Sequence, residues 1–458
     1  LFGKGNVFKA GTIGTIQDRI AYGYVKTYQE EEGEGVSKWE VERLVQGCSG
    51  IKRTTGQHPG GIIIVPEGHN IHEFCPVQHP ANDSNSEVVT THFDYHSIDK
   101  NLLKLDLLGH DVPSQIRHLQ DMTGVDPLSF SMSDPAVLKI FRGTESLNIK
   151  ERKYRFTHGT YGIPEFGTEF VRRMLDDTMP ENFADLVRIS GFSHGTDVWN
   201  NNARELIKQG IATMRDAIST RDDIMNYLIM KGLPKEDAFS IMERVRKGRG
   251  VTLSEEEALK KKGVKEWYIE SLKKIKYVFP RAHAVAYVMM SYRIAWYKVY
   301  YPLAFYAAFF TTKKDFFNLS LINEKPSLVF DKITELLGKG KAMTDKEANE
   351  ITVLEVMYEM MSRGYEFEKP DLGKSHPTRF MVADQKVLVS LAAIPGVGEA
   401  AARLLKEEYE NSPYKSVDEI RTRGKLNSTA ISALRELSCL DGIPESDQLT
   451  LFDMQTCI

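Results

Sequence analysis

The stretch LLKLDLLG, Leu102 to Gly109, sets Lys104 and Asp106 two residues apart in an otherwise apolar run. In a β-strand, residues i and i+2 point to the same face, so the two charges would lie side by side. The opposite face would bury three leucines, Leu103, Leu105 and Leu107. A charge pair in such a setting is costly unless it is paired, solvated in a cleft or bound to a metal. The stretch therefore predicts a strand at a candidate functional site, and a surface strand with a self-satisfied pair is the ordinary alternative.

Length and composition indicate a multidomain globular protein. With 458 residues the chain is too long for one ordinary core, and about 150 residues per domain predicts roughly three units. A hydrophobic content of 41% with 27% charged residues excludes the disordered and membrane classes. The net charge of −4, from 59 basic and 63 acidic residues, argues against a uniformly basic nucleic-acid binder. Four cysteines without a CxxC pair are typical of a reducing cytosol.

The pattern along the chain changes twice. Residues 1–125 carry short β-branched runs punctuated by glycine and proline, which predict a sheet-bearing α+β region with a helix at 36–50. The acidic tract EEEGEG at 30–35 predicts a solvated loop. Residues 126–312 have helical periodicity, and short strands are expected again at 345–385, followed by two helical pairs.

The most apolar long segment, about 285 to 310, carries Arg293 and Lys298 near its middle and Pro302 after them. Charges there are unfavourable in a bilayer, so the segment predicts buried helix and no membrane partner.

Positive charge concentrates between Arg244 and Lys276, where eleven of 33 residues are basic. Such a field suits phosphates, although interspersed glutamates also fit a solvated helix face. The next motif, FPRAH at 279–283, places Arg281 and His283 at a predicted helix amino terminus, which already attracts anions. A triphosphate would fit there.

Two glycine-punctuated turns, GTYGIPEFGT at 159–168 and RISGFSHGTDVW at 188–199, would let a ligand approach the backbone closely. Neither matches the pattern GxxxxGK[ST], which disfavours an ordinary P-loop ATPase. Histidine pairs at 69/72 and 92/96 have spacings that could serve a metal, but without a clear third and fourth ligand they are expected to be turn and strand residues, and no zinc is expected.

The segment VSLAAIPGVGEAAARLLKEEY at 389–409 has the form helix, Pro-Gly-Val-Gly, helix. Its hairpin would present backbone N–H groups to one nucleic-acid phosphate without sequence preference. A weaker copy follows around Gly424, and an ordinary αα-hairpin is the alternative. The tail peptide QLTLF at 448–452 is apolar on a polar segment, which favours docking into a partner's hydrophobic pocket.

Seven motifs in order give the chain a family resemblance. They are TTGQHPGGIIIVP, THFDYHSIDKNLLKLDLLGHD, YGIPEFGT, ISGFSHGTDVW, KIKYVFPRAHAVAYV, IPGVGEAAARLL and QLTLF. Together they resemble the carboxy-terminal part of PolC-type DNA polymerase III α subunits, C-family replicative polymerases of low-GC Gram-positive bacteria. The resemblance covers essentially the whole chain and implies DNA-directed DNA synthesis.

The resemblance implies an α+β multidomain fold with a partial C-family palm sheet. It divides the chain into palm (1–25), an inserted helical thumb (26–55), palm with the third catalytic aspartate (56–125), large, mostly helical fingers (126–312), a duplex-binding domain with tandem helix-hairpin-helix motifs (313–440) and a tail (441–458).

The resemblance also implies residue roles. Asp106 would be the third catalytic carboxylate, a ligand of two Mg²⁺ ions, and Lys104 would touch the incoming dNTP. Other nucleotide contacts are implied for Ser190, His194, Arg221, Arg244, Arg246, Arg281 and His283. Contacts to primer-template DNA are implied for Lys247, Arg249, Gly396, Val397, Gly398, Arg423, Gly424 and Lys425. Docking on the sliding clamp is implied for Gln448, Leu449, Leu451 and Phe452.

The family's first two catalytic aspartates would precede Leu1. One aspartate cannot hold two Mg²⁺ ions, so the resemblance implies an inactive fragment, or a split polymerase completed by a second polypeptide. Its setting would be a cytoplasmic, nucleoid-associated replisome with other replisome subunits. The alternative is a non-catalytic module that binds duplex DNA and tethers to the clamp, which leaves Lys104 and Asp106 without a purpose.

Overall fold

The computed structural model describes residues 2–33, 35, 37–98, 100–107, 109–151 and 156–446, without the side chains of residues 82 and 96. Two compact units divide the chain, Leu1–His110 and Asp111–Ile458. Within the described ranges, no helix combines the length and the apolar character that spanning a bilayer requires.

Unit 1 is built on a five-stranded sheet with the order β3-β4-β1-β2-β5. Its strands are β1 (Val7–Thr15), β2 (Lys52–Ile64), β3 (Val77–Gln78), β4 (Thr90–Asp94) and β5 (Leu103–Asp106). β1 runs parallel to β4 and antiparallel to β2, and β5 pairs antiparallel with β2 at one edge. Gly11 permits the close approach of β1 and β4, because a Cβ there would lie 1.9 Å from the Thr91 carbonyl oxygen.

A helical pair, α1 (Asp18–Glu32) and α2 (Lys38–Cys48), connects β1 to β2. The helix expected at 36–50 is therefore confirmed, but the prediction of a solvated loop for the acidic tract is wrong at Glu30–Glu32, which complete α1. Gly33 ends that helix in the left-handed conformation, with φ of 70°. The exposed surface of the last turn lets the glutamates stay hydrated within a helix.

Unit 2 is mostly helical. Its helices are α3 (Asp111–Thr123), α4 (Pro135–Lys139), α5 (Glu169–Thr178), α6 (Phe183–His194), α7 (Arg204–Lys208), α8 (Arg221–Met230), α9 (Lys235–Arg246), α10 (Leu253–Lys261), α11 (Glu266–Lys274), α12 (Arg281–Tyr300), α13 (Pro302–Thr312), α14 (Pro326–Gly338), α15 (Asp345–Ser362), α16 (Glu399–Asn411), α17 (Val417–Thr422) and α18 (Ser428–Glu436). A small sheet in the order β6-β8-β7 joins them, with β6 (Phe367–Glu368), β7 (Met381–Ala383) and β8 (Lys386–Leu388).

The apolar segment at 285–310 lies in two helices, α12 and α13, with many buried residues, which confirms the prediction of buried helix. α12 packs against α3, α4, α6 and α13, and α13 packs in turn against α3, α15 and the small sheet. Pro302 starts α13 at a position where its missing N–H costs no helix bond. Lys298 is fully buried in this core.

The strands expected at 345–385 are only partly present. Residues Asp345–Ser362 form α15, and strands occur only at β6 and β7 within this range. Thr344 and Glu347 close a capping box at the start of α15. Because this cap and a buried helical face act together, the β-branched residues of ITVLEV are accommodated in a helix.

Candidate active site and duplex-binding hairpins

The edge strand β5 brings Lys104 and Asp106 together as the i, i+2 spacing predicts. Lys104 Nζ lies 3.0 Å from Asp106 Oδ1, and the two side chains are 14% and 52% exposed. Strand pairing places Lys104 opposite Ile63 and Asp106 opposite Gly61. The lysine is therefore held by the sheet, while the carboxylate retains a solvent-facing side.

The expectation that the leucines bury the opposite face of β5 is wrong. Leu103 and Leu107 are 57% and 64% exposed. β5 has only one neighbour, β2, and the small core of unit 1 gathers on the other side, around Ala10, Ile63 and Leu102. The face of β5 that carries Lys104 is therefore the more buried one. The aliphatic stem of the lysine packs on that side, whereas the leucines lie at an open edge of the sheet.

His58 and Tyr95 hold the lysine in place. The ammonium of Lys104 lies 4.7 Å from the centre of the Tyr95 ring and 3.5 Å from His58 Nε2. His58 Nδ1 accepts hydrogen bonds from the backbone N–H groups of Gly60 and Gly61, at 3.2 and 2.7 Å. A neutral His58 therefore carries its proton on Nε2, so two donors face one another beside a single carboxylate. This arrangement is suited to an anion.

The described residues of the chain do not fit a two-magnesium centre. Two Mg²⁺ ions need more than the one carboxylate of Asp106, whose ion-pair partner is a lysine. Within the described ranges, the only group of three acidic or other metal-ligating side chains close enough to share an ion is Glu256, Glu266 and Glu270 in unit 2. Glu256 there already contacts Lys260 and Lys273, at 2.8 and 2.9 Å.

Two of the four histidines considered for zinc have polar partners of their own. His69 Nδ1 lies 2.9 Å from a Glu73 carboxylate oxygen, and His92 Nδ1 lies 2.6 Å from the Gln78 side-chain oxygen.

In unit 2, His194 is held as a cation at the end of α6. Its Nε2 lies 2.9 Å from Glu165 Oε2, and its Nδ1 lies 2.9 Å from the Ser190 carbonyl oxygen. Both ring nitrogens therefore act as donors. The Glu165 carboxylate raises the pKa of His194 against the opposing effect of burial. The ring stacks on Phe279, with centroids 4.6 Å apart, and its charge is thus presented beside an aromatic surface.

Backbone pairing gathers other predicted nucleotide contacts near His194. The Phe279 carbonyl accepts the Arg221 N–H at 3.0 Å, and a bridge joins Thr220 to Phe279. The Phe279 ring also meets the exposed His283, with centroids 5.5 Å apart. Ser190 contributes its carbonyl, whereas its Oγ is buried and finds no hydrogen-bond partner in the described part of the chain.

Arg281 is anchored by two aspartates at the start of α8. Its guanidinium pairs with Asp223, and Asp222 Oδ2 accepts its backbone N–H at 2.8 Å. Asp223 also accepts from Ser219 and Thr220, at 3.0 and 2.9 Å from their backbone nitrogens. Burial would raise the pKa of Asp223, but Arg188, the Ser219 hydroxyl and Arg281 outweigh it and the pKa is lowered. Arg281 thus belongs to a rigid ion network and remains partly exposed.

The basic segment is partly neutralised within the protein. Arg246 makes two hydrogen bonds of 2.8 Å to Glu243, and Arg244 Nε lies 3.4 Å from Glu255. Lys247 lies 3.8 Å from Glu243 and is exposed. Arg249 is exposed as well. The solvated-helix alternative therefore describes much of α9 and α10, and the free positive charge gathers at the end of α9.

The first hairpin is built as a backbone turn in front of α16. Gly396 has a φ of 81°, and the Val397 N–H bonds to the Ile394 carbonyl at 3.0 Å. Val397 is therefore a buried turn residue whose N–H is already used. Gly398 caps α16 in extended conformation, and nothing lies within 4 Å of a Cβ built on it. Gly398 and the first turn of α16 form the open side of the hairpin.

The second hairpin is closed where the sequence predicted DNA contacts. A Cβ on Gly424 would lie 2.6 Å from the Ile420 carbonyl oxygen and 2.7 Å from Leu405, so this glycine serves close packing. Arg423 contacts Glu408 and Glu419 at 3.3 and 3.0 Å and two further carbonyl oxygens, which makes it an internal brace. Lys425, with φ of 52°, is the exposed residue of the turn.

Sequence reasoning missed three residues that organise these sites: Glu165, Asp223 and His58. Glu165 adopts a φ of 68° that non-glycine residues rarely take, which marks this position in the structure but not in the sequence. The peptide Gln448 to Phe452, which is predicted to bind the clamp, lies outside the described residues.

Three family models match the chain in the order in which the structure lays it out. Residues 23–109 match the bacterial DNA polymerase III alpha NTPase domain, and residues 112–267 match the bacterial DNA polymerase III alpha subunit finger domain. Residues 364–449 match a helix-hairpin-helix motif. The chain belongs to the family of bacterial DNA polymerase III α subunits.

Within that family the chain is similar to proteins of the PolC type. It is 52% identical over 452 residues to DNA polymerase III PolC-type of Clostridium perfringens, covering 99% of this chain and 31% of that protein. It is 49% identical to the proteins of the same name in Bacillus subtilis and Thermotoga petrophila, covering 99% of this chain and 32% and 33% of theirs. The chain thus spans about a third of the length of these curated relatives.

Proposed function

We propose that the chain is part of a template-directed DNA polymerase, which adds a dNMP to a primer 3′-hydroxyl and releases pyrophosphate. The observation that carries the proposal is the half-exposed pair of Lys104 and Asp106 on an edge strand, in a chain whose relatives are named DNA polymerase III PolC-type. The Asp106 carboxylate keeps a side open to solvent, and the ammonium of its partner Lys104 lies beside a further donor, His58 Nε2.

In this proposal the β5 strand handles charge at the reacting phosphates. Asp106 is one ligand of a Mg²⁺ site that needs further carboxylates. Bound magnesium would neutralise charge that develops on the phosphates. Lys104 turns its ammonium to a triphosphate oxygen, held in position by Tyr95 and His58.

The cationic end of α6 binds the nucleotide in the same proposal. His194, kept protonated by Glu165, offers a fixed positive charge, and Arg281 offers the exposed part of a guanidinium that two aspartates hold still. Arg221 contacts Phe279 through its backbone N–H, and His283 contacts it through its ring. Because the groups are already oriented, they lose little conformational entropy on binding.

Duplex DNA is bound by the first hairpin and by exposed cations in the proposal. Gly398 and the first turn of α16 face one backbone phosphate, and Lys425, Lys247 and Arg249 contribute exposed charge. The peptide Gln448 to Phe452 docks on the sliding clamp, and deleting it should abolish clamp binding while leaving duplex affinity nearly unchanged.

Primer extension by a full-length PolC-type polymerase that carries this segment tests the proposal. Asp106→Ala should lower single-nucleotide incorporation by about a thousandfold or more, since metal-based charge stabilisation is worth several kcal/mol. Glu67→Ala, which removes an exposed carboxylate elsewhere in unit 1, is the matched control and should extend normally.

Equal extension by Asp106→Ala would refute the catalytic role. The non-catalytic module that binds duplex DNA would then be the better account, because the hairpin domain alone supports it. A salt titration of duplex binding by the chain itself is independent of this result, and affinity should fall steeply with salt as counterions are released.

A further inference from the structure

A cleft of about 370 Å³ in unit 2 is lined by residues to which no role has been assigned above. Four elements form it: α3 supplies His118, the turn after α13 supplies Lys314, the loop before β7 supplies His376 and Arg379, and α16 supplies Arg403. Three threonines and one carboxylate complete the lining, and no Phe, Tyr or Trp side chain is among the lining residues that the structure describes.

Positive charge in the cleft exceeds negative charge. Glu399 is its only lining carboxylate among the described residues, and it is shared by Lys314 at 2.8 Å and Arg403 at 3.9 Å. Arg379 has no carboxylate within 4.0 Å in the described part of the chain. Three cations therefore face one anion, which leaves a field that favours an added negative group.

The hydrogen bonds of His376 place its own N–H group opposite the N–H groups of Arg379. Its Nδ1 accepts from the backbone N–H groups of Thr378 and Arg379, at 3.1 and 3.0 Å. A neutral ring then carries its proton on Nε2, and this is the atom that the Arg379 guanidinium approaches at 3.2 and 3.3 Å. An imidazole N–H and a guanidinium thus meet without an acceptor between them.

A second imidazole in the cleft is incomplete as well. His118 Nδ1 is buried and finds no hydrogen-bond partner among the described residues. Burial lowers the pKa of both His118 and His376, and the nearby Arg379 lowers each further. Each ring is therefore neutral at pH 7 and able to donate one N–H. An oxyanion that accepts hydrogen bonds from these two N–H groups would supply the partner that each of them lacks.

We propose that this cleft is a phosphate-binding site, formed by Arg379, Arg403, His118 and His376. Its lining offers N–H donors and an excess of positive charge, so the ligand is recognised through a phosphate group. Glu399 opens α16 directly after Gly398, so the cleft adjoins the first hairpin. A backbone phosphate of DNA is one source of the group, and free phosphate or pyrophosphate is the other. The DNA source rests on the proposed function, whereas the free anion does not.

Two binding measurements on the full chain test the site. Anisotropy of a fluorescein-labelled duplex measures the DNA source, and ³¹P line broadening of inorganic phosphate and pyrophosphate measures the free anion. The double variant Arg379→Gln/Arg403→Gln should lose affinity about tenfold for the ligand that uses the cleft. If that ligand is DNA, the salt slope should fall by about one per phosphate contact removed. Arg173→Gln, an exposed arginine on α5, is the matched control and should bind like the wild type.

The outcomes separate the possibilities. Loss of duplex affinity alone assigns the site to DNA, and loss of phosphate broadening alone assigns it to a free anion. Retained affinity in both measurements overturns the proposal. If the wild type binds phosphate through the cleft but no duplex, duplex binding under the proposed function fails while the site stands.

Urea unfolding tests whether Arg379 stabilises the fold instead of binding phosphate. Because Arg379 has no carboxylate partner, Arg379→Gln in the free protein should unfold at the same or a higher urea concentration. A lower midpoint would show that the guanidinium supports the fold, and the proposal would then fail for Arg379. His118→Gln, which keeps a side-chain donor, should retain phosphate binding better than His118→Leu.

Discussion

Two lysine–carboxylate pairs in this chain have similar distances and opposite surroundings. Lys298 Nζ lies 2.7 Å from Glu359 Oε1, and both side chains are fully buried. Lys104 Nζ lies 3.0 Å from Asp106 Oδ1, at an edge strand where the carboxylate is half exposed. The distance between the charges therefore does not distinguish the roles of the two pairs. What distinguishes them is whether every donor and acceptor of the pair has a hydrogen-bond partner.

The buried pair is complete. Lys298 also donates to the carbonyls of Gly159 and Tyr161, at 2.8 and 2.5 Å, and Glu359 also accepts from the Tyr306 hydroxyl at 2.8 Å. Burial lowers the pKa of Lys298 to about 8, although Glu359 acts in the opposite direction. These bonds tie α12, α13 and α15 to the loop at 159–161. A pair with every donor engaged holds the fold, whereas the pair on β5 keeps a side open for a ligand.

The largest expected effect comes from breaking the buried pair. Lys298→Met should lower the free energy of unfolding by about 3–5 kcal/mol, because Glu359 would remain as an unpaired buried charge. Urea unfolding followed by tryptophan fluorescence measures it, since Trp199, Trp267 and Trp296 all lie in unit 2. Lys298→Met/Glu359→Gln should recover part of the loss, and equal losses in the single and double variants would disprove the coupling.

Two glycines in the hairpins show the same difference between a closed and an open site: Gly424 is closely packed, and Gly398 is open. Gly424→Ala should destabilise unit 2 by about 1–3 kcal/mol, because its Cβ would overlap the Ile420 carbonyl oxygen and Leu405. Gly398→Ala meets no atom within 4 Å and should cost less than about 1 kcal/mol. Urea midpoints of the two variants give the comparison, and a larger loss at Gly398 would reverse the assignment of the two hairpins.

The pair of Glu165 and His194 lies between the two lysine pairs in exposure, and it predicts a pH dependence. The raised pKa of His194 means that its stabilisation is full below about pH 6.5 and is lost as pH rises through the folded pKa. Glu165→Gln should therefore destabilise the chain by about 1 kcal/mol or less at pH 6, because the ring is partly exposed. At pH 9 the difference from the wild type should vanish. A difference in urea midpoint that is the same at both pH values would show that His194 is not charged.

Local pattern predicted much of the fold. The alternation in KLD predicted strand β5 with Lys104 and Asp106 on one face, and the apolar segment at 285–310 predicted the buried helices α12 and α13. The start of α15 was also readable, since Thr344 and Glu347 form a capping box, but the β-branched run that follows favoured strands. Local preference was overruled there by the packing of a helix face.

The remainder depends on contacts between residues distant in sequence. Nothing near Lys298 marks Glu359 as its partner, and Glu165 is separated from His194 by α5 and most of α6. Leu103 and Leu107 were expected to be buried because an apolar pattern does not reveal that β5 lies at a sheet edge. The cleft around Arg379 combines four elements that are distant in sequence, so no single motif marks it.

The most direct test of the difference between the two lysine pairs is single-turnover nucleotide incorporation, measured in a full-length PolC-type polymerase that carries Lys104→Met or Lys298→Met. Lys104→Met should lower the rate by about a hundredfold, as expected for loss of one preorganised charge, while its urea midpoint stays at the wild-type value. Lys298→Met should lower the midpoint and leave the rate per folded molecule within a few-fold. A Lys104→Met enzyme that incorporates nucleotides at the wild-type rate would contradict the assignment of the β5 pair to the active site.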